Sequence, residues 1–126
     1  MNFFQRRKIL KQANYLDLTP VRMMEHTLRE NGNVDVLLPR FKNKVSRNLL
    51  QPAKKGDHIR IKLDTLGSAI WLAIDGYSTV SKIVAALEES NNENLTAHEE
   101  NIKRVTQFLS LLYQQRYISF REILPQ

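Results

Sequence analysis

The sequence predicts an α+β domain in which a small three-stranded antiparallel sheet is followed by three helices. Three features predict it: an Asn-Gly pair between two alternating stretches, a strictly alternating strand near residue 60, and three amphipathic segments that each begin with a capping residue. The 126 residues suit one domain with a single modest core.

The first 19 residues are predicted to be an N-terminal extension, and residues 20–122 the domain proper. Basic and apolar side chains are interleaved in the extension and leave only a thin apolar face. We interpret it as a tail or as a strap over the core; the alternative is a short amphipathic helix that lies on an anionic membrane. The interleaved residues are Phe3, Phe4, Arg6, Arg7, Lys8, Ile9, Leu10 and Lys11.

The segment after the extension is compatible with two structures. Pro20 would suit the first turn of a helix, whereas Asn31-Gly32 is typical of a tight β-hairpin. Apolar and polar side chains alternate on both sides of that pair, as they do in strands that bury one face. We therefore predict a hairpin with strands near Met23–Arg29 and Asn33–Pro39.

A basic insertion is predicted at residues 40–57, where six Lys or Arg residues accompany the single acid Asp57. It could cover the neighbouring strand or add a contact to a ligand. The strand that follows the insertion alternates with a period of two, which indicates one buried face. Its apolar face is Ile59, Ile61 and Leu63, and its polar face is His58, Arg60 and Lys62.

Two short helices are predicted next. Asp64 or Thr65 caps the first, and Gly76 follows it as the left-handed residue that ends a helix at least cost. Thr79 caps the second helix, whose apolar residues recur at the spacing of one helix face. The two apolar stripes are Leu66, Ile70, Trp71 and Ile74, and then Val80, Ile83, Val84 and Leu87.

The third and longest helix is predicted to begin with a capping box formed by Thr96 and Glu99 and to end near Arg116. Residues Tyr117–Phe120 add a final extended piece. Phe108 and Leu111 lie beside the main core stripe, which leaves two interpretations: ordinary packing against the core, or the lining of a groove next to the last strand of the sheet. The stripe itself is Ile102, Val105, Leu109 and Leu112.

No arrangement of residues in the sequence points to catalysis. The chain has no cysteine, and His26, His58 and His98 are too far apart in sequence to form a local metal-binding motif. Neighbouring carboxylates such as Glu99-Glu100 point about 100° apart on a helix, so they do not share a site. We therefore predict a protein that is not an enzyme and needs no metal or cofactor. The single tryptophan, Trp71, is interpreted as a core residue whose indole N–H donates to a carbonyl.

Charge is distributed unevenly along the chain. Residues 1–62 carry a net charge of +9 and residues 63–126 a net charge of −3, which suggests an acidic partner for the first half. The longest apolar run, Ala69–Ile74, is far shorter than the ~20 residues that span a bilayer, and no secretory signal is present. With the absence of cysteine, this predicts a cytoplasmic protein without a membrane partner.

Several short motifs occur together in the second half of the chain: Leu63-Asp64, Gly67 to Ala69, Asp75-Gly76, Thr79-Val80 and Phe108-Leu109. In this order and spacing, the stretch resembles the PqqD-like family, named after pyrroloquinoline quinone biosynthesis protein D. The resemblance covers about residues 58–120, and a weaker one covers the hairpin. The motifs are specific as a set, although no single one is.

This resemblance implies a winged-helix-like fold and a role in recognition. Members bind the leader of a ribosomally made precursor peptide and present it to a modifying enzyme, often a radical S-adenosylmethionine enzyme. In the family, the leader adds as an extra strand beside the third strand and rests against the third helix. The implied peptide-binding residues here are His58, Ile59, Arg60, Ile61, Lys62, Leu63, Arg104, Phe108, Leu111 and Leu112.

Two other functions compete with peptide recognition. A basic protein with this order of elements could bind nucleic acid, but the third helix begins with Glu99 and Glu100, where a recognition helix should be basic. A protein-protein adaptor that kept only the fold is the other alternative. An exposed edge strand could also pair with a second copy, so both a monomer and a homodimer are compatible with the sequence.

Overall fold

A computed structural model describes residues 14–39, 58–90 and 95–124. Predictions for residues 1–13, for the basic insertion and for the loop near residue 92 lie outside these ranges. Within them the predicted α+β fold, a small antiparallel sheet with three helices, is confirmed. The elements are β1 (Pro20–Arg22), β2 (Glu25–Leu28), β3 (Val34–Pro39), β4 (His58–Lys62), α1 (Thr65–Ala73), α2 (Val80–Glu89), α3 (His98–Gln114) and β5 (Ile118–Phe120), with 3-10 turns at Tyr15–Asp17 and Arg121–Ile123.

The main sheet has the order β2-β3-β4 and is antiparallel throughout, so β3 is central and β2 and β4 are the edges of its described part. The predicted hairpin between β2 and β3 is confirmed, with Leu28 opposite Val34. At its tip the Gly32 N–H donates to the Arg29 carbonyl at 2.9 Å, and Gly32 has a φ of +85°. Glycine is favoured there because it adopts positive φ without a Cβ clash.

The structure contains a second, two-stranded ladder that was not predicted from the sequence. β1 pairs antiparallel with β5, and Pro20 lies opposite Phe120. Pro20 therefore begins a strand, where its missing N–H is tolerated, and the alternative helix does not form. β5 confirms the extended piece predicted after α3. Leu18, from the predicted extension, is buried in the core, and its carbonyl accepts the Val80 N–H at 2.9 Å.

Two of the three predicted helix starts are confirmed. The Asp64 carboxylate accepts the Gly67 N–H at 2.7 Å, and the Thr79 hydroxyl accepts the Lys82 N–H at 3.3 Å. Gly76 has the predicted positive φ, +83°, but it does not end α1: the helix ends at Ala73, and the extended residue Ile74 is its C-cap.

The capping box predicted at Thr96 and Glu99 is wrong. Ala97 is the N-cap residue of α3, and its side chain makes no capping hydrogen bond. Asn101 replaces the box from inside the first turn: its Oδ1 accepts the Thr96 N–H at 2.8 Å, and its Nδ2 donates to the Thr96 carbonyl at 3.0 Å. This amide satisfies both backbone groups of Thr96, so Thr96 is held by a side chain instead of capping the helix itself.

The core lies between the inner face of the sheet and the three helices. Trp71 is fully buried within it, as predicted, but its indole N–H has no hydrogen-bond partner among the described residues, which corrects the expected bond to a carbonyl. The indole packs among apolar side chains and meets the His26 ring edge-on, with centroids 6.1 Å apart. The core residues are Leu18, Val34, Val36, Leu63, Ile70, Trp71, Ile74, Val80, Ile83, Val84, Leu87, Val105, Leu109, Leu112, Ile118, Phe120 and Ile123.

Candidate functional site

β4 presents one row of backbone groups away from the sheet. The Leu63 N–H donates to the Val34 carbonyl at 2.9 Å, which fixes the phase of the ladder because alternate residues of an antiparallel strand bond to the partner. Ile59 and Ile61, in the same phase, direct their backbone groups toward β3. No other described residue hydrogen-bonds to the outward groups, which belong to His58, Arg60 and Lys62.

The two ends of β4 differ in burial. Ile61 lies opposite the fully buried Val36, and Leu63 is buried where β4 gives way to α1. Ile59, which was expected to share this buried face, is 45% exposed. It lies opposite Leu38 at the far end of the strand pair, where the described helices do not cover it. The apolar inner face of β4 is therefore closed near Leu63 and open near Ile59.

A groove of about 410 Å³ opens beside the closed end of β4. Its floor comes from the first turns of α1, its opposite wall from α3, and its near wall from the end of β4. Four predicted site residues meet here, namely Lys62, Leu63, Arg104 and Phe108. The remaining lining residues are Asp64, Leu66, Gly67 and Ile70, so the groove is apolar at its base and carries charges at its rim.

Gly67 sets how closely α1 and α3 approach each other at this groove. A Cβ added at Gly67 would lie 3.1 Å from Cζ of Phe108 and 2.9 Å from Oδ1 of Asp64, both closer than ordinary contacts. The missing side chain therefore lets the Phe108 ring rest against the start of α1. The sequence-based site did not include Gly67, although this glycine belongs to one of the motifs behind the family resemblance and stands in the first turn of a helix, where it costs about 1 kcal/mol relative to alanine.

Of the four site residues predicted on α3, two do not line this groove. Leu111, expected to line it with Phe108, is 52% exposed and lines a second groove together with Tyr15 of the first 3-10 turn. Leu112 is buried in the core. On a helix, Leu111 lies about 60° from Phe108 in one direction and Leu112 about 40° in the other, so the three side chains reach different surroundings.

A buried carboxylate on the outer face of the sheet is a feature that the sequence did not indicate. Asp35, on β3, is 4% exposed and forms an ion pair with the Arg29 guanidinium. Arg29 also donates to the Leu63 carbonyl at 2.7 Å, so it bridges the end of β2 to the end of β4. From β4, Arg60 approaches Asp35 at 3.6 Å and donates to the Thr27 hydroxyl at 3.2 Å.

The Asp35 cluster, defined as Arg29, Asp35 and Arg60, leaves one cation of β4 unpaired within the described structure. Lys62 lies directly opposite Asp35 in the strand register, yet it makes no ion pair with a described residue because the two arginines occupy that carboxylate. Among the described residues, the outer face of β4 is therefore positive, and it adjoins a row of backbone groups without a hydrogen-bond partner.

The described residues contain no group of three or more His, Cys, Asp or Glu side chains that could hold a metal ion. None of the described helices is long and apolar enough to cross a membrane. Within the described ranges, the region around β4 offers a strand edge without a pairing partner, an adjoining apolar groove and a cationic outer face. This arrangement is suited to binding an extended chain.

A family model described as Coenzyme PQQ synthesis protein D (PqqD) matches residues 49–118, more than half of the chain. The matched range contains β4, the three helices and every residue that lines the groove beside β4. No curated protein and no solved structure shows a significant match to the chain.

Proposed function

The chain belongs to the PqqD family of non-catalytic accessory proteins in biosynthesis, and we propose that it captures a precursor or leader peptide by strand addition to β4 and presents it to a modifying enzyme. The observation that carries this proposal is the outward row of backbone groups on β4, directly beside the groove between α1 and α3. An added strand would satisfy that row and place alternate side chains toward the groove.

The size of the edge supports a short extended ligand. β4 has five residues, and a strand advances about 3.3 Å per residue, so the added segment would run along roughly 17 Å of edge. Three outward residues of β4 supply the donors and acceptors. Because each net hydrogen bond contributes only about 0.5–1.5 kcal/mol, the backbone alone would give weak binding, and the groove must add to it.

The groove supports the proposal because it can receive a side chain of the added strand. Its base is formed by Leu66, Ile70 and the ring of Phe108. Burying a Leu-sized side chain there would contribute about 1.5–3 kcal/mol. Backbone pairing and side-chain burial would thus act together, and neither requires a reactive group on the protein.

The direct test uses proline to remove one outward N–H of β4. Lys62→Pro deletes a donor that does not bond to β3, and proline is tolerated in an edge strand when its N–H would face outward. Lys62→Ala is the matched control, because it removes the same side chain and keeps the N–H. Ile61→Pro is unsuitable, because the Ile61 N–H faces β3 and its loss would damage the sheet itself.

The probe is a display library of random twelve-residue peptides, selected on the full chain. We expect selected peptides to shift the amide signals of residues 58–62, Gly67 and Phe108, and to bind Lys62→Pro about tenfold or more weakly than Lys62→Ala, about 1.4 kcal/mol. Thermal unfolding of both variants checks that the fold persists. Equal affinities for the two variants, or amide shifts confined to other surfaces, would refute strand addition at β4.

A further inference from the structure

We propose that the β4 edge selects peptides in which acidic and apolar residues alternate, with a carboxylate beside Lys62 and an apolar neighbour in the groove against Phe108. This inference rests on the proposed strand addition and specifies which strand is accepted. Lys62 is thereby the specificity-determining residue of the edge. The proposed preference follows from three features: the positive charge on the outer face of β4, the apolar character of its inner face and the side-chain period of a strand.

The outer face of β4 offers one cation that needs a partner. Asp35 is already bonded by Arg29 and approached by Arg60, and it forms no ion pair with Lys62. Arg60 is held in place by Asp35 and Thr27, which leaves Lys62 as the exposed cation without an ion pair among the described residues. A carboxylate on an added strand would supply the missing partner.

The inner face beside Lys62 has the opposite character. Leu63 and Ile61 point to that side, and the adjoining groove is built from Leu66, Ile70 and Phe108. Gly67 keeps the ring of Phe108 close to α1 without filling the space between them. The charged residues Asp64 and Arg104 also line this groove, but a charged side chain that reached its apolar base would lose water, so an apolar side chain is preferred there.

The geometry of strand pairing joins these two preferences into one pattern. A residue opposite Lys62 on an added strand projects its side chain to the same outer face, with Cβ atoms about 4.5–5.5 Å apart, close enough for an ion pair. Its two sequence neighbours project to the inner face, since the side-chain period is two. One of them lies next to Leu63, at the mouth of the groove.

The same pattern disfavours a second copy of β4 as the occupant. Pairing two copies of this edge would bring Arg60 and Lys62 of both copies to one outer face, and like charges on neighbouring strands are destabilising. The occupant that fits the edge is therefore a foreign acidic-apolar segment.

The experiment compares three synthetic ten-residue peptides: alternating Glu and Leu, alternating Gln and Leu, and alternating Lys and Leu. Binding to the full chain is measured by fluorescence anisotropy and mapped by amide shifts of residues 58–62. We expect the Glu peptide to bind about fivefold more tightly than the Gln peptide, the size of one exposed ion pair. The Lys peptide should be weakest of the three.

Two variants assign the preference to Lys62. In Lys62→Glu the order should invert, so that the Lys peptide binds more tightly than the Glu peptide. Lys103→Glu is the matched control: it makes the same change in net charge on the exposed side of α3, at a residue that does not line the groove, and it should keep the original order.

The outcomes separate the two proposals. If all three peptides shift the β4 amides with equal affinity, strand addition stands and the acidic preference is wrong. If the order inverts equally in Lys62→Glu and Lys103→Glu, the preference belongs to overall charge and the assignment to Lys62 is wrong. If neither these peptides nor any library peptide perturbs β4, the proposed function itself fails.

Discussion

The two edges of the main sheet, β2 and β4, present similar backbone but different surroundings. On β2 the outward backbone groups belong to His26 and Leu28, and on β4 they include Arg60 and Lys62. As rows of donors and acceptors the two edges are nearly equivalent. Hydrogen-bonding capacity alone therefore does not distinguish a binding edge from an ordinary one.

The difference lies in what adjoins each edge. Next to β2 the inner face is occupied, because the His26 ring meets the buried indole of Trp71 with 6.1 Å between centroids. Next to β4 the inner face opens into the groove between α1 and α3. β2 also carries the acid Glu25, whereas every charged residue of β4 is a cation. Of these two edges, β4 alone combines, in the described part of the chain, an edge without a strand partner, an adjoining groove for a side chain and charges of one sign.

Removing Asp35 should produce the largest effect, because this carboxylate connects both edges through Arg29 and Arg60. In Asp35→Ala two arginines lose their partner, and we expect the free energy of unfolding to fall by about 2–3 kcal/mol. This is less than for a fully buried pair because a quarter of the Arg29 side chain is exposed. Arg60→Ala is the control and should cost under about 1 kcal/mol, since Arg60 is half exposed. Urea unfolding measures both, and an equal cost would show that Asp35 does not hold the two edges together.

Two glycine substitutions, one at the groove and one in the hairpin turn, distinguish an effect on peptide binding from an effect on stability. In Gly67→Ala the new Cβ would crowd Phe108 and the Asp64 cap, an overpacking cost of about 1–3 kcal/mol that the gain in helix propensity, about 1 kcal/mol, partly offsets. In Gly32→Ala no atom lies within 4 Å of the new Cβ, and the cost of about 1–2 kcal/mol comes from the positive φ alone. Both variants should lose similar stability in thermal unfolding.

Their effects on peptide binding should differ. Gly67→Ala displaces the ring that forms the wall of the groove, so affinity for the selected peptides should fall several-fold. Gly32→Ala adds its Cβ to open space at a residue that does not line the groove, so it should leave affinity unchanged. If both variants weakened binding equally, the loss would follow stability, and the groove would have no separate part in it.

What the sequence could predict follows from the range of the interactions involved. The caps at Asp64 and Thr79 and the hairpin at Gly32 depend on residues only a few positions apart, and each is confirmed. The period of β4 likewise predicted its two faces. Local chemistry was sufficient for these elements because their hydrogen bonds close within one turn.

Longer-range features could not be predicted in the same way. Pro20 pairs with Phe120, which lies 100 residues further along the chain, and no local sequence pattern predicts this pairing. The burial of Asp35 depends on Arg29 and Arg60, which come from different strands. In the site, the family resemblance placed Phe108 near β4, but its contact with Gly67 depends on how closely α1 and α3 pack. Leu111 was misplaced for the same reason: the direction of a side chain beside the core stripe is set by its neighbours in space.

A substitution at the end of α3 should change stability without touching either edge. Arg116 has a φ of +66°, and the Tyr117 N–H donates to the Leu112 carbonyl at 2.9 Å, the pattern of a helix that ends in a left-handed residue. Arginine is strained there, so Arg116→Gly should raise the free energy of unfolding by about 0.5–1 kcal/mol. Arg116→Ala, which keeps the strain, should not. A gain in peptide affinity with Arg116→Gly would indicate that global stability, and not the edge, limits binding.

The smallest expected effect is a pH dependence located at the β2 edge. Burial, and then the positive charge of Arg22, lower the pKa of His26 below its ordinary value of 6.5. The Arg22 guanidinium lies 3.4 Å from Nδ1 of His26, an arrangement that requires this nitrogen to accept and the ring to be neutral. Since the unfolded chain binds the proton more readily, the stabilising contribution of His26 is complete above pH 6.5 and is lost as the pH falls toward the lowered folded-state pKa.

Urea midpoints at pH 7.5 and 5.5 should therefore differ more for the native chain than for His26→Gln, and amide exchange at low pH should rise at β2 before β4. An identical pH response in His26→Gln would assign the effect to other groups, and faster exchange at β4 than at β2 would mean that the acid-sensitive edge is the one proposed to bind peptide.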